Sequence, residues 1–151
     1  MANQLEIFMT GQQFKKLCEK QYECIMKKYG ITKIEIDILF FLYTTNYYTA
    51  KDIVNIRHIS KSHVSSAIED LHKKGYIQCS PDEKDHRRMR LTPAKDAAPL
   101  IERIAELHEN LGKVLYTGIT EEEKEIMKTV VGKMLHNIST ALHDFDGKKE
   151  L

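Results

Sequence analysis

The chain has 151 residues and 42% hydrophobic content, which suits one compact domain with additional helices and excludes a disordered protein. Its 23 Lys and Arg against 22 Asp and Glu give a net charge of +1, which is not the overall basic character typical of nucleic-acid binding. No segment approaches the roughly 20 apolar residues that cross a bilayer, and the N-terminus lacks a secretion signal, so we expect a cytoplasmic protein with no membrane partner.

Apolar residues recur at helical spacing through most of the chain, which indicates a mainly α fold. A first helix is predicted over 10–29, with Thr10 as its cap and Gly30 at its end. Thr32 and Glu35 form a capping box that begins a second helix near residue 33.

Two short helices follow, separated by a tight turn. Thr49 is expected to cap a third helix over 50–56, and Ser60 a fourth over 61–74 that ends at Gly75. The fourth helix has an apolar stripe at positions i, i+3, i+4 and i+7, formed by Val64, Ala67, Ile68 and Leu71.

The period then changes from helix to strand. Residues 76–80 are predicted as a strand, 81–85 as a turn, and 86–91 as a returning strand with a basic face. Thr92 and Pro93 are expected to begin a fifth helix, because proline is favoured at the first helical position.

Two long helices complete the chain, over 93–116 and from Thr120 to about residue 143. Their apolar stripes exceed what a domain of this layout can cover, so we expect them to pair with a second copy. The fold class is therefore mainly α with a small β-hairpin, a winged helix-turn-helix flanked by dimerisation helices. We expect a single domain over 1–151, with the winged helix-turn-helix at 32–92 and dimerisation helices at 10–30 and 93–145.

The residue types along the fourth helix are distributed as in a recognition helix. Its N-terminal half has small, polar or basic residues, and acidic residues follow in the C-terminal half. Such residues approach base edges and phosphates in the major groove. The candidate DNA contacts on this helix are Lys61, Ser62, His63, Ser65 and Ser66. The wing, about residues 80–91, adds Lys84, Arg87, Arg88 and Arg90, which suit a minor groove of negative potential.

The charge is unevenly distributed along the chain. Residues 57–95 have a net charge of +4 and residues 96–151 a net charge of −4. The basic segment coincides with the predicted recognition helix and wing, so the neutral total does not argue against DNA binding.

These segments resemble the MarR-type (multiple antibiotic resistance) transcriptional regulators. Residues 59–77, ISKSHVSSAIEDLHKKGYI, are similar to the family's recognition helix, and 81–88, PDEKDHRR, followed by Leu91 and Thr92, to its wing motif. The resemblance implies a homodimer that binds a pseudo-palindromic double-stranded DNA operator, typically as a repressor. It also implies that Asp85 braces the wing and that Arg87 enters the minor groove. The wing is about two residues shorter than usual.

The resemblance further implies a small aromatic or lipophilic effector that modulates DNA affinity, and Tyr22, Tyr29 and Tyr43 are candidate walls of its pocket. One alternative is a thiol-based redox sensor that uses Cys18. Another is a winged-helix module that binds a protein and not DNA.

Cysteines and histidines give no further site. Cys18, Cys24 and Cys79 are an odd number at unrelated spacings, so we expect free thiols and not a disulfide framework. No two histidines have the i, i+4 spacing of a zinc site, so we expect no bound metal. No enzyme motif is present, so we also expect no cofactor and no enzymatic activity.

Overall fold

The computed structural model describes residues 4–149, and the mainly α class with a small hairpin is confirmed. The elements in chain order are α1 (Gln4–Tyr29), α2 (Lys33–Thr44), α3 (Ala50–Arg57), α4 (Lys61–Lys73), β1 (Ile77–Pro81), β2 (Met89–Pro93), a 3-10 turn (Lys95–Ala97), α5 (Ala98–Leu115) and α6 (Glu121–Lys149).

The first helix starts earlier than predicted. Thr10 lies inside α1 and is not its cap, because its hydroxyl donates to the carbonyl of Glu6, 2.8 Å away in the preceding turn. The hydroxyl of a threonine inside a helix can donate a hydrogen bond to the carbonyl four residues before it. The amino-acid sequence alone does not distinguish such a threonine from one that caps a helix.

The hairpin and fifth helix also depart from the prediction. Pro93 does not begin a helix but ends β2, where it pairs with Ile77, and α5 begins at Ala98. The amide of Ala94 donates to the carbonyl of Tyr76, 2.9 Å away, which extends the pairing past the proline. A proline is tolerated at the end of a two-stranded ladder because no further strand requires its missing amide.

The chain divides into two compact units, residues 1–111 and residues 112–151. The first contains α1 to most of α5, including the helix-turn-helix and the hairpin. The second contains the end of α5 and all of α6, which continues to Lys149, beyond the predicted end near residue 143. Within residues 4–149, no helix is long and apolar enough to cross a membrane.

The core of the first unit forms around α2, which contacts α1, α4 and β2. Ile36, Ile38 and Leu39 of α2 have no exposed surface, and Ile53 of α3 and Leu71 of α4 are buried equally. Burying one such side chain contributes about 1.5–3 kcal/mol, so these contacts fix the directions of α3 and α4.

A buried ion pair joins the start of α2 to the end of α4. The carboxylate of Glu35, 1% exposed, accepts two hydrogen bonds from Lys74 Nζ, at 2.7 and 3.0 Å. It also accepts the amide of Thr32, which completes the predicted capping box. The carboxylate, the ammonium group and the amide are all hydrogen-bonded at the point where α4 ends.

Replacing Lys74 by Met should lower the free energy of unfolding by about 3 kcal/mol, because it leaves the Glu35 carboxylate buried without a counter-charge. The matched control is Lys73→Met, since Lys73 pairs with Glu69 and both side chains are 66% exposed. That variant should lose less than about 1 kcal/mol. Urea unfolding at neutral pH measures both, and equal losses would contradict the role of the buried pair.

Candidate nucleic-acid interface

The N-terminal half of α4 presents a polar surface. Ser60 caps the helix by accepting the amide of His63 at 3.4 Å, and its hydroxyl also lies 2.9 Å from His63 Nδ1. The apolar side of the helix is buried through Val64, Ala67 and Leu71. The five predicted contacts are all exposed: Lys61, Ser62, His63, Ser65 and Ser66.

A short supporting helix precedes α4. A capping box between Thr49 and Asp52 starts α3, as the sequence indicated for Thr49. The helix ends at His58, whose φ of 53° is left-handed, a conformation that non-glycine residues seldom adopt. This backbone reversal makes the turn into α4 tight, as predicted. The residue types around His58 do not predict its left-handed conformation.

The wing is a two-stranded antiparallel hairpin in which Cys79 pairs with Leu91. Its connection spans residues 82–88, so Arg87 and Arg88 lie in the loop and not on the returning strand as predicted. The difference arises because Asp82 closes the loop, with its amide donating to the carbonyl of Arg88 at 2.8 Å.

Asp82 is the buried acid of the wing, and sequence reasoning missed it. Its side chain accepts the amides of Lys84 at 2.8 Å and Asp85 at 3.0 Å, and it is 3% exposed. The Tyr48 hydroxyl donates to the same carboxylate and, with the two amides, lowers the pKa of Asp82. A hydrophilic loop sequence gives no sign of this burial, because Tyr48 lies before α3.

Asp85, the predicted wing brace, also holds the loop, but through the backbone. Its Oδ1 accepts the amide of Arg87 at 3.1 Å, and its carbonyl accepts the amide of Arg88 at 2.9 Å. The Asp85 carboxylate therefore shapes the loop without engaging the Arg87 guanidinium.

The four basic residues predicted on the wing fall into two classes. Arg88 Nη2 donates to Thr49 Oγ1 at 3.4 Å and lies 3.8 Å from Asp52, while Arg90 lies over the Tyr48 ring, 4.3 Å from its centroid. These two contacts attach the wing to the start of α3. Lys84 and Arg87 are exposed, and their side chains have no ion pair among the described residues.

Comparison with known proteins matches residues 29–88 to the MarR family, the segment from the end of α1 to the wing loop. The chain is also 26% identical over 121 residues to the HTH-type transcriptional regulator PecS of Dickeya dadantii, covering 78% of this chain and 73% of PecS. The chain is similar to MarR-family regulators over this segment. PecS is named as a transcriptional regulator.

Solved structures share the fold of this chain. A MarR protein from Peptoclostridium difficile superposes with a TM-score of 0.75 at 20% identity, covering 93% of this chain and 94% of that one. The S. aureus MepR–DNA complex gives a TM-score of 0.70 at 22% identity, covering 91% and 99%.

The three tyrosines proposed for an effector pocket lie in different surroundings. Tyr22 is buried in the core, and its hydroxyl lies 3.0 Å from His108 Nε2. Tyr29 is half-buried beneath the Lys28 ammonium, and Tyr43 is 57% exposed. No hydrogen bond or ring contact brings the three together, so the pocket stays a prediction.

The thiol of Cys18 lacks the environment of a reactive cysteine. It is half-buried in α1, and burial raises its pKa despite the nearby Lys33 ammonium. Less thiolate at neutral pH means a weaker nucleophile, which disfavours the redox-sensor alternative. Cys24 and Cys79 are also free thiols, and among residues 4–149 no three His, Cys, Asp or Glu side chains converge to hold a metal ion.

His108 of α5 forms a polar contact inside the first unit that sequence reasoning did not single out. Its ring stacks on Phe40 at a centroid distance of 3.8 Å and bonds to Tyr22. Burial lowers the pKa of His108, while the Asp37 carboxylate opposes this shift and Arg57 reinforces it. The neutral imidazole is therefore the form that the folded chain favours.

We expect stability to fall as the pH drops below the ordinary histidine pKa of 6.5, because the unfolded chain then binds a proton that folded His108 resists. In His108→Gln the loss of melting temperature between pH 7.5 and pH 5 should be smaller than in the wild type. His143→Gln, a change at an exposed residue of α6, should keep the wild-type loss. An undiminished loss in His108→Gln would contradict the assignment.

Proposed function

We propose that this chain is a MarR-type transcription regulator that binds double-stranded DNA as a homodimer, with the N-terminal half of α4 in the major groove and the loop 82–88 in the minor groove. The observation that carries the proposal is the division of the wing cations. Arg88 and Arg90 hold the wing against the start of α3, while Arg87 and Lys84 at its tip have no ion pair within residues 4–149. The phosphates and the narrow minor groove of DNA attract unpaired cations, and a rigid support holds such cations in place.

The recognition helix supports the same function. Lys61, Ser62 and Ser65 are exposed near the positive end of the helix dipole, where phosphates bind favourably. Short hydroxyl side chains permit close approach to base edges. A surface that binds a protein partner would instead have exposed aromatic or large apolar anchors, and no such residue lies among 60–66.

The second helical unit supports pairing with another copy. The exposed large apolar residues of α6 are Ile126, Val130, Val131, Met134, Leu135, Ile138, Leu142 and Phe145, each 37–68% exposed. A continuous apolar surface of this kind on a helix marks a contact site. A second chain places a second recognition helix on the DNA, which suits a pseudo-palindromic operator.

We further propose repression as the mode of action. A dimer bound to promoter DNA excludes other proteins from that DNA without having to contact them. A small aromatic or lipophilic effector that favours one separation of the two recognition helices would shift DNA affinity. The curated relative named as a transcriptional regulator and the structural neighbour bound to DNA support this function.

The wild-type chain is first used to select a duplex from random DNA. Arg87→Ala should weaken binding to that duplex about tenfold or more, because one groove contact is lost. Arg103→Ala is the control, since Arg103 is exposed on α5 and pairs with Glu106. Fluorescence anisotropy at several salt concentrations measures both. Unchanged affinity in Arg87→Ala would contradict the wing's role, and failure to select any duplex would contradict DNA binding.

We expect the chain to sediment as a dimer at micromolar concentration and Leu135→Glu, which places a charge on the exposed stripe, to sediment as a monomer. Asn137→Asp adds the same charge at an exposed polar position of α6 and should remain dimeric. Analytical ultracentrifugation distinguishes these outcomes. A wild-type monomer, or a dimeric Leu135→Glu, would contradict pairing through α6.

A further inference from the structure

The first turn of α4 contains an exposed histidine whose ring is held by the residue that caps the helix. Ser60 Oγ lies 2.9 Å from His63 Nδ1 and also accepts the His63 amide at 3.4 Å. Within residues 4–149, the hydrogen bonds of the His63 ring involve Nδ1 alone, which leaves Nε2 for a partner outside the chain. The ring is therefore oriented before any partner arrives.

The hydrogen bonds around Ser60 indicate which ring nitrogen carries the proton. A serine hydroxyl has one proton and two lone pairs, and a neutral imidazole has one donor and one acceptor nitrogen. Ser60 Oγ already accepts the amide of His63, and its contact with Nδ1 is shorter than its 3.4 Å contact with Ser62 Oγ. The hydroxyl proton of Ser60 therefore goes to Nδ1, and the second lone pair of its oxygen accepts from Ser62.

The helix dipole favours the same arrangement. Ser60 and the Nδ1 atom of His63 lie at the N-terminus of α4, where backbone amides without helical partners give a positive potential. This potential stabilises an acceptor nitrogen and disfavours a further N–H donor. Nδ1 is then the acceptor and Nε2 carries the proton, so the exposed edge of the ring presents one neutral donor.

A single donor at this place distinguishes between the bases of the major groove. Guanine presents two acceptors there, N7 and O6, whereas the N7 of adenine lies beside a donating amino group and thymine offers one acceptor beside its methyl group. Ser62 and Ser66 are also exposed on α4, and their short side chains let the ring approach the base edges. We propose that His63 selects guanine in the operator through its Nε2 proton, and that Ser60 is the positioning residue that sets this tautomer.

The neighbouring Lys61 is better suited to a phosphate than His63 is. Lys61 is an exposed cation on a flexible side chain, and a phosphate attracts such a charge from many directions. A neutral donor on an oriented ring gains less from charge and more from direction, which is what a base edge requires. The selection of guanine rests on the proposed DNA-binding function, but the tautomer of His63 does not.

NMR of the free full-length chain labelled with nitrogen-15 tests the tautomer. At about pH 8, where histidine side chains are ordinarily neutral, the ring signals of His63 should show a protonated Nε2 and an unprotonated Nδ1. Ser60→Gly removes the hydroxyl at little cost to the helix start and should raise the fraction with a protonated Nδ1. Ser60→Thr retains a hydroxyl and should keep the wild-type form. A protonated Nδ1 in the wild type, or an unchanged ring in Ser60→Gly, would overturn the role of Ser60.

Selection from random DNA tests the base. Each guanine of the duplex selected by the wild type is replaced in turn by 7-deazaguanine, which lacks the N7 acceptor. At one position in each half-site this change should weaken binding to the wild type about five- to tenfold and leave binding to His63→Ala unchanged. His63→Gln should select adenine at that position, because glutamine pairs with N6 and N7 of adenine. His143→Gln, an exposed change on α6, is the control and should still select guanine.

Three results would count against this assignment or its basis. If His63→Ala and His63→Gln both select the wild-type guanines, His63 does not read the base. If His63→Ala loses affinity equally for every duplex and stays as sensitive to 7-deazaguanine as the wild type, His63 contacts a phosphate and the proposal is overturned. If the wild type selects no duplex at all, the proposed DNA-binding function fails, while the NMR measurement still decides the tautomer.

Discussion

The position of α4, the proposed recognition helix, depends on the buried ion pair between Glu35 and Lys74. The carboxylate is 1% exposed and receives both the Lys74 ammonium and the first amide of the capping box. A charge so placed is costly unless every partner is present, so the end of α4 has one favoured position relative to α2. The apolar core orients the helix, and this pair fixes where it stops.

The wing uses its charges for two separate purposes. Arg88 and Arg90 contact residues at the start of α3, and Asp82 is buried against backbone amides and the Tyr48 hydroxyl. These contacts restrain a loop that would otherwise be mobile. The proposed contact of Arg87 with DNA would then have a lower entropic cost, since the backbone beneath Arg87 is already ordered.

Net charge is a poor guide to partners in this chain. The whole sequence carries +1, but residues 57–95 carry +4 and contain α4 and the wing. A modest local charge gives weak affinity for arbitrary DNA. In the proposed dimer, tight binding would depend on two α4 helices acting together, which connects the exposed apolar stripe of α6 with specificity.

Local hydrogen bonds could be predicted from sequence, and contacts between distant segments could not. The caps at Thr49 and Ser60 and the exposed polar end of α4 follow from residues three or four positions apart, where spacing alone decides the geometry. The placement of Pro93 in a strand depended on pairing across the hairpin, and the burial of Asp82 on Tyr48, more than thirty residues earlier. Sequence therefore determined the helix-turn-helix and its basic segment. Only the tertiary structure decided which wing cations lack an ion pair within the described residues, because this depends on how separate elements pack.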